Sequence, residues 1–400
     1  MLSAHMAAQP SETAEQPRPI AARSAIVHDW FQGFHGAERV VDAMRTELFD
    51  EAPDIFTFHA ARSLLPRDLA ATIVRESKLA ALPGIRQRDH HPGLWRNLLP
   101  LMPRYFDNLE LEPYDVVISS SHAFATNVRV RADALHVCYC YTPLRYAWLP
   151  DVEAGRIGGP RGLALAVMRR RLRELDHIAS GRPDAYVAIS TAVRARIRRF
   201  YDRDAFVVHP PVDVEEFDPR REKDPDRFLW VHRLVSYKHP ELVVEAFRDL
   251  PYRLTMVGVG PLESRLRRNL PSNVELRSWV SREELVVLFQ RSSGFLHIAD
   301  EDFGITMVEA LAAGTPVIGL ARGGARDIVR TGVDGVLLER LDPQSIRSAV
   351  RRLRGSTWDR AAIAAGSRRF SRARFVNQLR SCLGELGERK GVDLTAARGL

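Results

Sequence analysis

Short apolar runs alternate with longer segments of helical periodicity along most of the chain, and this alternation limits the fold more than any other feature. Apolar runs bounded by turn residues are typical of buried strands, and their alternation with helices is typical of parallel sheets. The first series lies at 24–28, 115–119, 135–141 and 185–189, and the second at 228–232, 253–257, 274–276, 294–298 and 316–319. The pattern predicts an α/β protein with two open, doubly wound sheets.

A change in composition separates the two series. Residues 205–226 are rich in proline and acidic side chains, which is typical of a connection between domains. We therefore predict an N-terminal domain at 24–205, a C-terminal domain at 206–375 and a disordered tail at 1–23, with 376–400 as a candidate helix that packs back on the first domain. Ligands of open α/β sheets bind at the carboxyl ends of the strands, so the cleft between the domains is the expected site.

The composition is that of a globular protein. The chain has 400 residues, of which 45% are hydrophobic and 27% are charged, and this length suggests two or three domains. Its three cysteines, Cys138, Cys140 and Cys382, cannot form a disulfide framework, so we expect a reduced, cytoplasmic protein. No apolar stretch reaches the ~18 residues of a membrane span. Residues 1–23 lack the apolar core of a signal peptide.

The charge balance favours anionic partners. The formal net charge is +8, and lysine occurs only at 78, 223, 238 and 390, so nearly all of the 58 basic residues are arginine. Arginine suits phosphate and carboxylate recognition, although a coding bias toward arginine is the simpler cause of the excess. The charge allows nucleotides, nucleic acid or an acidic membrane face as partners. Because no aromatic–basic RNA motif is present, we expect no nucleic-acid partner.

Residues 300–310 (DEDFGITMVEA) carry the richest chemistry in the sequence. They follow an apolar run and open a helix that is expected to begin near Ile305 or Thr306. Gly304 lets the backbone come close to a ligand, and the free N–H groups and dipole of a helix N-terminus attract an anion. The segment therefore predicts an anion-binding turn. An acidic turn that only complements the helix dipole is the alternative.

Four acidic side chains of this segment have candidate roles. Glu309 lies about one helical turn inside the helix, within reach of a ribose on the same ligand, and Glu301 lies before the helix, near the reacting end. Asp300 and Asp302 also form a D-x-D pair after a strand, an arrangement in which carboxylates hold Mg²⁺ or Mn²⁺ against a diphosphate. We favour a site without a metal because basic residues elsewhere can neutralise a diphosphate.

Arg233 and Lys238 are those basic residues. They follow the apolar run at 228–232 and so lie at the carboxyl end of the predicted strand. Positive charge stabilises a diphosphate as the bond to it breaks, and one fork-shaped and one point-like cation can neutralise both phosphates. An exposed basic loop without a ligand is the alternative.

Two glycine pairs and one histidine also follow predicted strands. Gly33 and Gly36 separate the first predicted strand from the first helix, and Gly258 and Gly260 follow a strand of the second domain. Such glycines let the backbone approach a phosphate or a sugar, but the third glycine of the dinucleotide fingerprint is missing, so a nicotinamide cofactor is not expected. His122 ends a strand of the first domain, where it could bind a substrate hydroxyl or serve only the packing.

The acceptor side of the cleft is predicted from aromatic and basic residues. Tyr141, Arg145, Tyr146 and Trp148 follow the third apolar run and could line a groove, although core packing explains Tyr141 about as well. The segment 161–173 (RGLALAVMRRRLR) combines an apolar stripe with a basic face, which suits docking to anionic lipid. A solvated helix face is the alternative.

These motifs resemble the family 4 retaining glycosyltransferases, whose GT-B fold has two Rossmann-like domains facing across a cleft. The spacing of Glu301 and Glu309 resembles the E-x7-E element of that family. Arg233 and Lys238 resemble its paired ligands of the donor diphosphate. The segment at 139–148 resembles a bacterial branch of mannosyltransferase-like enzymes of polysaccharide assembly.

The resemblance implies a role for each matching residue. It assigns donor binding to Arg233, Lys238, Val280, Glu301, Gly304, Ile305, Thr306, Glu309 and Gly36. Glu309 would bind the ribose, Glu301 the donor sugar, and Val280 would lie beside the base. Gly36 would belong to a mobile donor-side loop, and His122 would act in the cleft. With Glu301, Arg233 and Lys238, His122 forms the predicted catalytic set.

Two departures from the branch lie on the acceptor side. Tyr141 stands where a histidine is expected, and Leu149 and Pro150 intervene before Asp151, where an aspartate is expected directly after the tryptophan. These differences leave the identity of the acceptor open and do not touch the donor motifs.

The resemblance implies a metal-independent, retaining sugar transfer without a cofactor. The best match is mannose moving from GDP-mannose to a hydroxyl of a lipid-linked glycan, at the inner face of the plasma membrane. A non-catalytic nucleotide-sugar-binding protein and a GT-B synthase with a small soluble acceptor are the alternatives.

Overall fold

Two parallel β-sheets, one in each half of the chain, make up the framework. The computed structural model describes residues 18–80, 82–85, 94–149 and 159–395. The first sheet has the strand order β3-β2-β1-β4-β5-β6-β7 and the second β10-β9-β8-β11-β12-β13. The first contains β1 (Ser24–His28), β2 (Asp54–Thr57), β3 (Ile73–Arg75), β4 (Val116–Ser121), β5 (Leu135–Cys140), β6 (Ala185–Ala188) and β7 (Ala205–Val207). The second contains β8 (Asp224–Val231), β9 (Arg253–Val257), β10 (Val274–Arg277), β11 (Ser292–His297), β12 (Val317–Leu320) and β13 (Gly335–Leu338). The predicted two-sheet α/β fold is confirmed.

Helices cover the faces of both sheets. The first domain contains α1 (Gly36–Glu47), α2 (Arg67–Ala71), α3 (Met102–Asp107), α4 (Arg145–Trp148), α5 (Gly159–Ala179) and α6 (Thr191–Tyr201). The second contains α7 (Pro240–Arg248), α8 (Glu263–Arg267), α9 (Arg282–Arg291), α10 (Ile305–Ala312), α11 (Ala325–Ile328) and α12 (Pro343–Gly355), and the chain closes with α13 (Arg360–Ser367) and α14 (Arg372–Lys390). Among the described residues, no helix combines the length and the hydropathy that crossing a membrane requires.

The strand order places the functional cleft. Strand β1 is buried along its whole length and pairs with both β2 and β4, with Ile26 opposite Ile55 on one side and Ile118 on the other. In the second sheet, β8 lies between β9 and β11 in the same way. The order reverses at β1/β4 and at β8/β11, and ligands of such sheets bind at the carboxyl ends of these strands.

The connection between the domains is shorter than the predicted 205–226. Ala205–Val207 pairs with β6 as the edge strand of the first sheet, and β8 already begins at Asp224. The apolar run predicted only the second half of β8, because its first residues are polar. Asp224 lies opposite Ser292 of β11, and its carboxylate accepts from the guanidinium groups of Arg227 and Arg253.

Both ends of the described chain pack on the first domain. On α14, Lys390 Nζ lies 2.6 Å from the Asp184 carboxylate, and Phe375 meets the ring of Tyr139 edge-on. Ile20, within the predicted tail, is only 4% exposed and bridges to Phe49. Ordered packing therefore begins before residue 24, because an apolar side chain there completes the first core. The rest of the predicted tail, 1–17, lies outside the described residues.

Candidate functional site

The first domain touches the second where α1 and α10 begin. A Cβ atom added to Gly36 would lie 3.0 Å from Cδ1 of Ile305, so the two helix starts are in close contact. The neighbouring His35 is close enough to Arg233 for that cation to contribute, after burial and Arg39, to a lowered pKa of its imidazole. Gly36, Arg233 and Ile305, which the sequence places far apart, thus meet at one point of the cleft.

Lys238 and Glu301 form the charged centre of the second-domain side. Lys238 lies in a 3-10 turn just after β8 and is only 5% exposed, and its ammonium contacts the Glu301 carboxylate. The other Glu301 oxygen lies 3.2 Å from Nε2 of His297, at the end of β11. The cation predicted for a diphosphate and the carboxylate predicted for a sugar are therefore direct neighbours, while Arg233 is exposed at the end of β8.

Two histidines lie next to the Lys238–Glu301 pair, and neither was predicted from the sequence. The rings of His232 and His297 are 4.5 Å apart, and burial lowers the pKa of each well below its ordinary value, so both are neutral. With Glu301 they are a group that could hold a metal ion, since their ligand atoms lie within 4.8 Å of one another. Lys238 already gives the Glu301 carboxylate a positive partner. The signal was available, because His232 ends the apolar run at 228–232 and His297 lies one residue before the end of the run at 294–298.

The turn before α10 has the geometry predicted for an anion site. Gly304 has a φ of 102°, which favours glycine, and an added Cβ would lie 2.5 Å from Cε of Met307. The helix begins at Ile305. Oγ1 of Thr306 lies 3.4 Å from Nδ1 of His297, so the first helical turn is held beside Glu301. Ile305, the first residue of this helix, is also the residue that lies against Gly36.

Glu309 has a partner that the sequence did not reveal. The residue is 7% exposed, and its carboxylate lies 2.6 Å from Nη1 of Arg282, the first residue of α9. Nη2 of Arg282 lies 2.6 Å from Glu216, and the guanidinium stacks over Phe217. Val280, two residues before Arg282, is half-buried against the main apolar cluster. The ribose and base candidates thus flank the start of α9.

The carboxylates of Asp300 and Asp302, the pair considered as an alternative metal site, lie against different groups. Asp302 is bound by Arg145 and Arg196 of the first domain. Oδ1 of Asp300 lies beside Gly323 in the second domain. The arginines therefore occupy the Asp302 carboxylate in this structure.

His122 is held by a carboxylate that the sequence analysis missed. Asp29 is fully buried directly after β1 and accepts hydrogen bonds from four successive backbone N–H groups, those of His122, Ala123, Phe124 and Ala125, at 2.6–2.9 Å. Its carboxylate also lies 3.3 Å from Nδ1 of His122. Burial, with a contribution from Arg145, lowers the pKa of His122 to about 3. The imidazole is therefore neutral at pH 7, and a Nδ1–H donated to Asp29 leaves Nε2 as an acceptor.

The four acceptor-side candidates occupy different environments. Tyr141 is buried, and its hydroxyl bonds Ala37 O and Ser120 Oγ, so it supports the start of α1. Trp148 stacks on Phe200 and donates to Asp176. Core packing thus accounts for both aromatic residues, because each satisfies its polar atom inside the first domain. Tyr146 is half-buried against the first-domain core, and Arg145 faces the second domain.

Comparisons with known proteins match both halves of the chain to glycosyltransferase models. The model described as Glycosyltransferase Family 4 matches residues 34–216, and the model of Glycosyl transferases group 1 matches residues 212–368. An uncharacterized glycosyltransferase MJ1178 of Methanocaldococcus jannaschii is 26% identical over 48% of this chain and 56% of its own length. A D-inositol 3-phosphate glycosyltransferase of Xylanimonas cellulosilytica is 29% identical over 47% of this chain and 53% of its own.

The fold also matches solved structures along most of its length. Anabaena Alr3699/HepE, solved in complex with UDP, superposes with a TM-score of 0.64 at 14% identity, covering 91% of this chain and all of that one. The chain spans about half the length of the curated relatives it matches. Together the two glycosyltransferase models match residues 34–368, and the fold of the chain is of the GT-B type.

Proposed function

We propose that the protein is a retaining glycosyltransferase that moves a sugar from a nucleoside diphosphate to an acceptor hydroxyl. The observation that carries the proposal is the convergence of Lys238, Glu301 and the start of α10 at Gly304, with Gly36 of the first domain against Ile305. A cation, a carboxylate and a helix N-terminus side by side suit a sugar diphosphate, whose charge grows as the glycosidic bond breaks.

Arg233 and Lys238 stabilise the leaving diphosphate in this proposal, together with the first N–H groups of α10. The C1–O bond to phosphate breaks, and the acceptor oxygen forms a new bond to C1 on the same face. The acceptor proton passes to an oxygen of the departing phosphate. The transition state resembles an oxocarbenium ion, as in other glycosyl chemistry. Because the protein's own cations neutralise the leaving group, we propose that no metal is required.

Glu301 and His122 orient the donor sugar from opposite sides of the cleft. Neutral His122 can accept a hydrogen bond from a sugar hydroxyl through Nε2, since Asp29 holds Nδ1. Glu301 can accept a hydrogen bond from another sugar hydroxyl once the diphosphate draws the Lys238 ammonium away from its carboxylate. Glu309 would bind the ribose, and Val280 would lie near the base. Closure at Gly36 keeps water from the reacting carbon.

The donor is GDP-mannose in our proposal, and UDP-glucose is the first competitor because the similar HepE structure contains UDP. We would measure glycosyl transfer and thermal stability with GDP, UDP, ADP and their sugars, with and without EDTA. Ligand at a hundred times its dissociation constant adds about 2.7 kcal/mol of stability. A shift with one base that survives EDTA, accompanied by transfer, supports the proposal. Binding without transfer or hydrolysis would instead indicate a binding protein.

The acceptor is a lipid-linked glycan at the cytoplasmic face of an anionic membrane in this proposal. On α5, Val167 is 76% exposed beside Arg170 and Arg171, whose side chains are 93% and 73% exposed. An apolar residue within a basic helix face binds acidic lipid. Most of the predicted apolar stripe falls within 159–166, a range whose side chains the structure does not describe.

Vesicle sedimentation tests the membrane contact. The wild type should pellet with vesicles that contain phosphatidylglycerol and not with phosphatidylcholine alone, and a double change of Arg170 and Arg171 to Ala should reduce pelleting. The same double change at the exposed Arg220 and Arg221 of the second domain is the matched control. Full transfer to a small soluble acceptor without any pelleting would favour a soluble-acceptor synthase.

A further inference from the structure

One carboxylate of the donor-side loop reaches across the cleft to two arginines. Asp302 lies in the turn between β11 and α10, and its carboxylate accepts from Nη2 of Arg145 at 3.3 Å and from Nη1 of Arg196. Arg145 begins α4 and Arg196 lies in α6, so both belong to the first domain. The three side chains are only 21–25% exposed. A charge-assisted contact of this kind is stronger than an exposed ion pair.

The backbone of the same loop is held by the second domain. The N–H of Gly324 donates to Glu301 O at 2.8 Å, and an added Cβ on Gly323 would lie 2.0 Å from that oxygen. Phe303 is 4% exposed and packs on the rings of His209 and Phe370. Asp302 is therefore anchored through its backbone in one domain and through its carboxylate in the other.

The ion pair lies between the reactive groups of the two domains. Asp302 directly follows Glu301, the carboxylate assigned to the donor sugar. Arg145 is close enough to His122 to lower the pKa of its imidazole, and Asp302 opposes that effect. Any change in the Asp302–arginine contact therefore alters both the turn that carries Glu301 and the surroundings of His122.

A second contact between the domains does not involve Asp302. The Asp327 carboxylate, on α11, accepts the backbone N–H of Thr191 at 2.7 Å and also binds the Thr191 hydroxyl at the start of α6. It can hold the domains together without touching the residues next to Glu301. This pair serves as an internal comparison, since it joins the same two domains without a bond to Asp302, Arg145 or Arg196.

We propose that Asp302 is a positioning residue which, through Arg145 and Arg196, orients Glu301 toward the donor sugar when the two domains close. The inference rests on the proposed function, because it assigns Glu301 to the donor sugar. The other charged donor ligands, Arg233, Lys238 and Glu309, belong to the second domain. Donor binding should therefore depend little on Asp302, whereas the bond-breaking step should depend on it strongly.

The test is a comparison of kcat and KM for Asp302→Asn, which has the same shape without the charge. We expect kcat to fall about tenfold, equivalent to about 1.4 kcal/mol, with a donor KM within about twofold of the wild type. The ratio of donor hydrolysis to transfer should rise, because a misaligned site admits water. Asp327→Asn should change kcat and KM without this selective loss of kcat. An unchanged kcat in Asp302→Asn would overturn the proposal.

A double-mutant cycle assigns the effect to the arginines. Asp302→Ala combined with Arg196→Ala should be no slower than either single variant if the two residues act as one contact. Effects that multiply would contradict it. Arg194→Ala is the matched control, since Arg194 lies on the same helix but pairs with Asp204 within the first domain at 2.8 Å. It should leave kcat unchanged.

Small-angle scattering provides a readout that does not need catalysis. With GDP or UDP bound, Asp302→Asn should have a larger radius of gyration than the wild type, because the closed form has lost one contact. A wild type without transfer on any donor would defeat the proposed function, and the scattering comparison would still decide whether Asp302 holds the domains closed. Equal radii would refute the Asp302 contact even in an active enzyme.

Discussion

The Asp29 carboxylate lies 3.3 Å from Nδ1 of His122 and accepts the four backbone N–H groups of the turn that begins at His122. The carboxylate therefore holds both the imidazole and the backbone that carries it. Asp29 follows β1 and His122 follows β4, and the parallel pairing of these strands brings the two residues together. The stability of the turn and the alignment of His122 depend on the same side chain.

Asp29→Asn should lose both stability and transfer activity. An amide presents N–H where the turn needs acceptors, and a buried N–H left unpaired costs about 1–3 kcal/mol. We expect urea unfolding to show a loss of this size and transfer to fall. His122→Ala is the comparison, because it keeps the Asp29–backbone contacts and should lose transfer while retaining most of the stability. A stable, active Asp29→Asn would contradict the assignment.

Gly36→Val should lower kcat/KM for transfer without unfolding the protein. The added Cβ would lie 3.0 Å from Cδ1 of Ile305, and overpacking of this kind costs about 1–3 kcal/mol where neighbours cannot move. We expect this cost to oppose domain closure, so that kcat/KM falls about tenfold or more. Ile305→Ala in the same chain should restore part of the rate.

Gly355→Ala is the control for that series, because an added Cβ there meets nothing within 4 Å. It should leave kcat/KM at the wild-type value. If Gly36→Val is as active as Gly355→Ala, the contact between the starts of α1 and α10 has no part in the reaction.

Glu309→Gln should weaken binding of the nucleotide. Glu309 and Glu216 share Arg282, each with a distance of 2.6 Å to its guanidinium, but only Glu309 is assigned to the ribose. Loss of a charged hydrogen-bond acceptor costs about 1.5–3 kcal/mol, so calorimetry with GDP or UDP should show a dissociation constant raised at least about tenfold. Glu216→Gln is the matched variant and should stay within about twofold. Equal increases in the dissociation constant for the two variants would mean that both carboxylates act by holding Arg282 and that Glu309 does not bind the ribose.

Glu38→Gln should change the pH dependence of stability. Burial raises the pKa of Glu38 from 4.5 to about 7. Between these values the folded protein binds more protons than the unfolded chain, so this group lowers stability as pH rises from about 4.5 to 7. The neutral variant lacks this loss. We expect its stability relative to the wild type to rise by roughly 3 kcal/mol between pH 4.5 and pH 8.

Urea unfolding of both proteins at several pH values measures that difference, and the comparison cancels the other titrating groups. Glu51→Gln, at an exposed position, is the control and should follow the wild type at every pH. A constant difference between Glu38→Gln and the wild type would show that Glu38 is ionised in the folded protein at pH 5.

Much of the architecture follows from local pattern. A run such as Ser24–His28 is apolar because both faces of a central parallel strand are buried, so its sequence reveals it directly. The strands Asp54–Thr57, Ile73–Arg75 and Gly335–Leu338 were not predicted. Their length alone does not explain this, because Val274–Arg277 and Val317–Leu320 are as short and overlap predicted runs. The start of α6 was predictable because Ser190 accepts from the N–H of Val193, a contact within one turn.

The sequence alone determined the two-sheet fold and which strand ends carry Arg233, Lys238 and Glu301, because strand period, helix caps and turn glycines are local properties of the chain. Only the tertiary structure decided which side chains meet across the cleft. Asp302 pairs with Arg145 and Arg196, which lie more than a hundred residues away in the sequence. Such pairings depend on how the two domains pack, and the periodicity of the sequence contains no information about that packing.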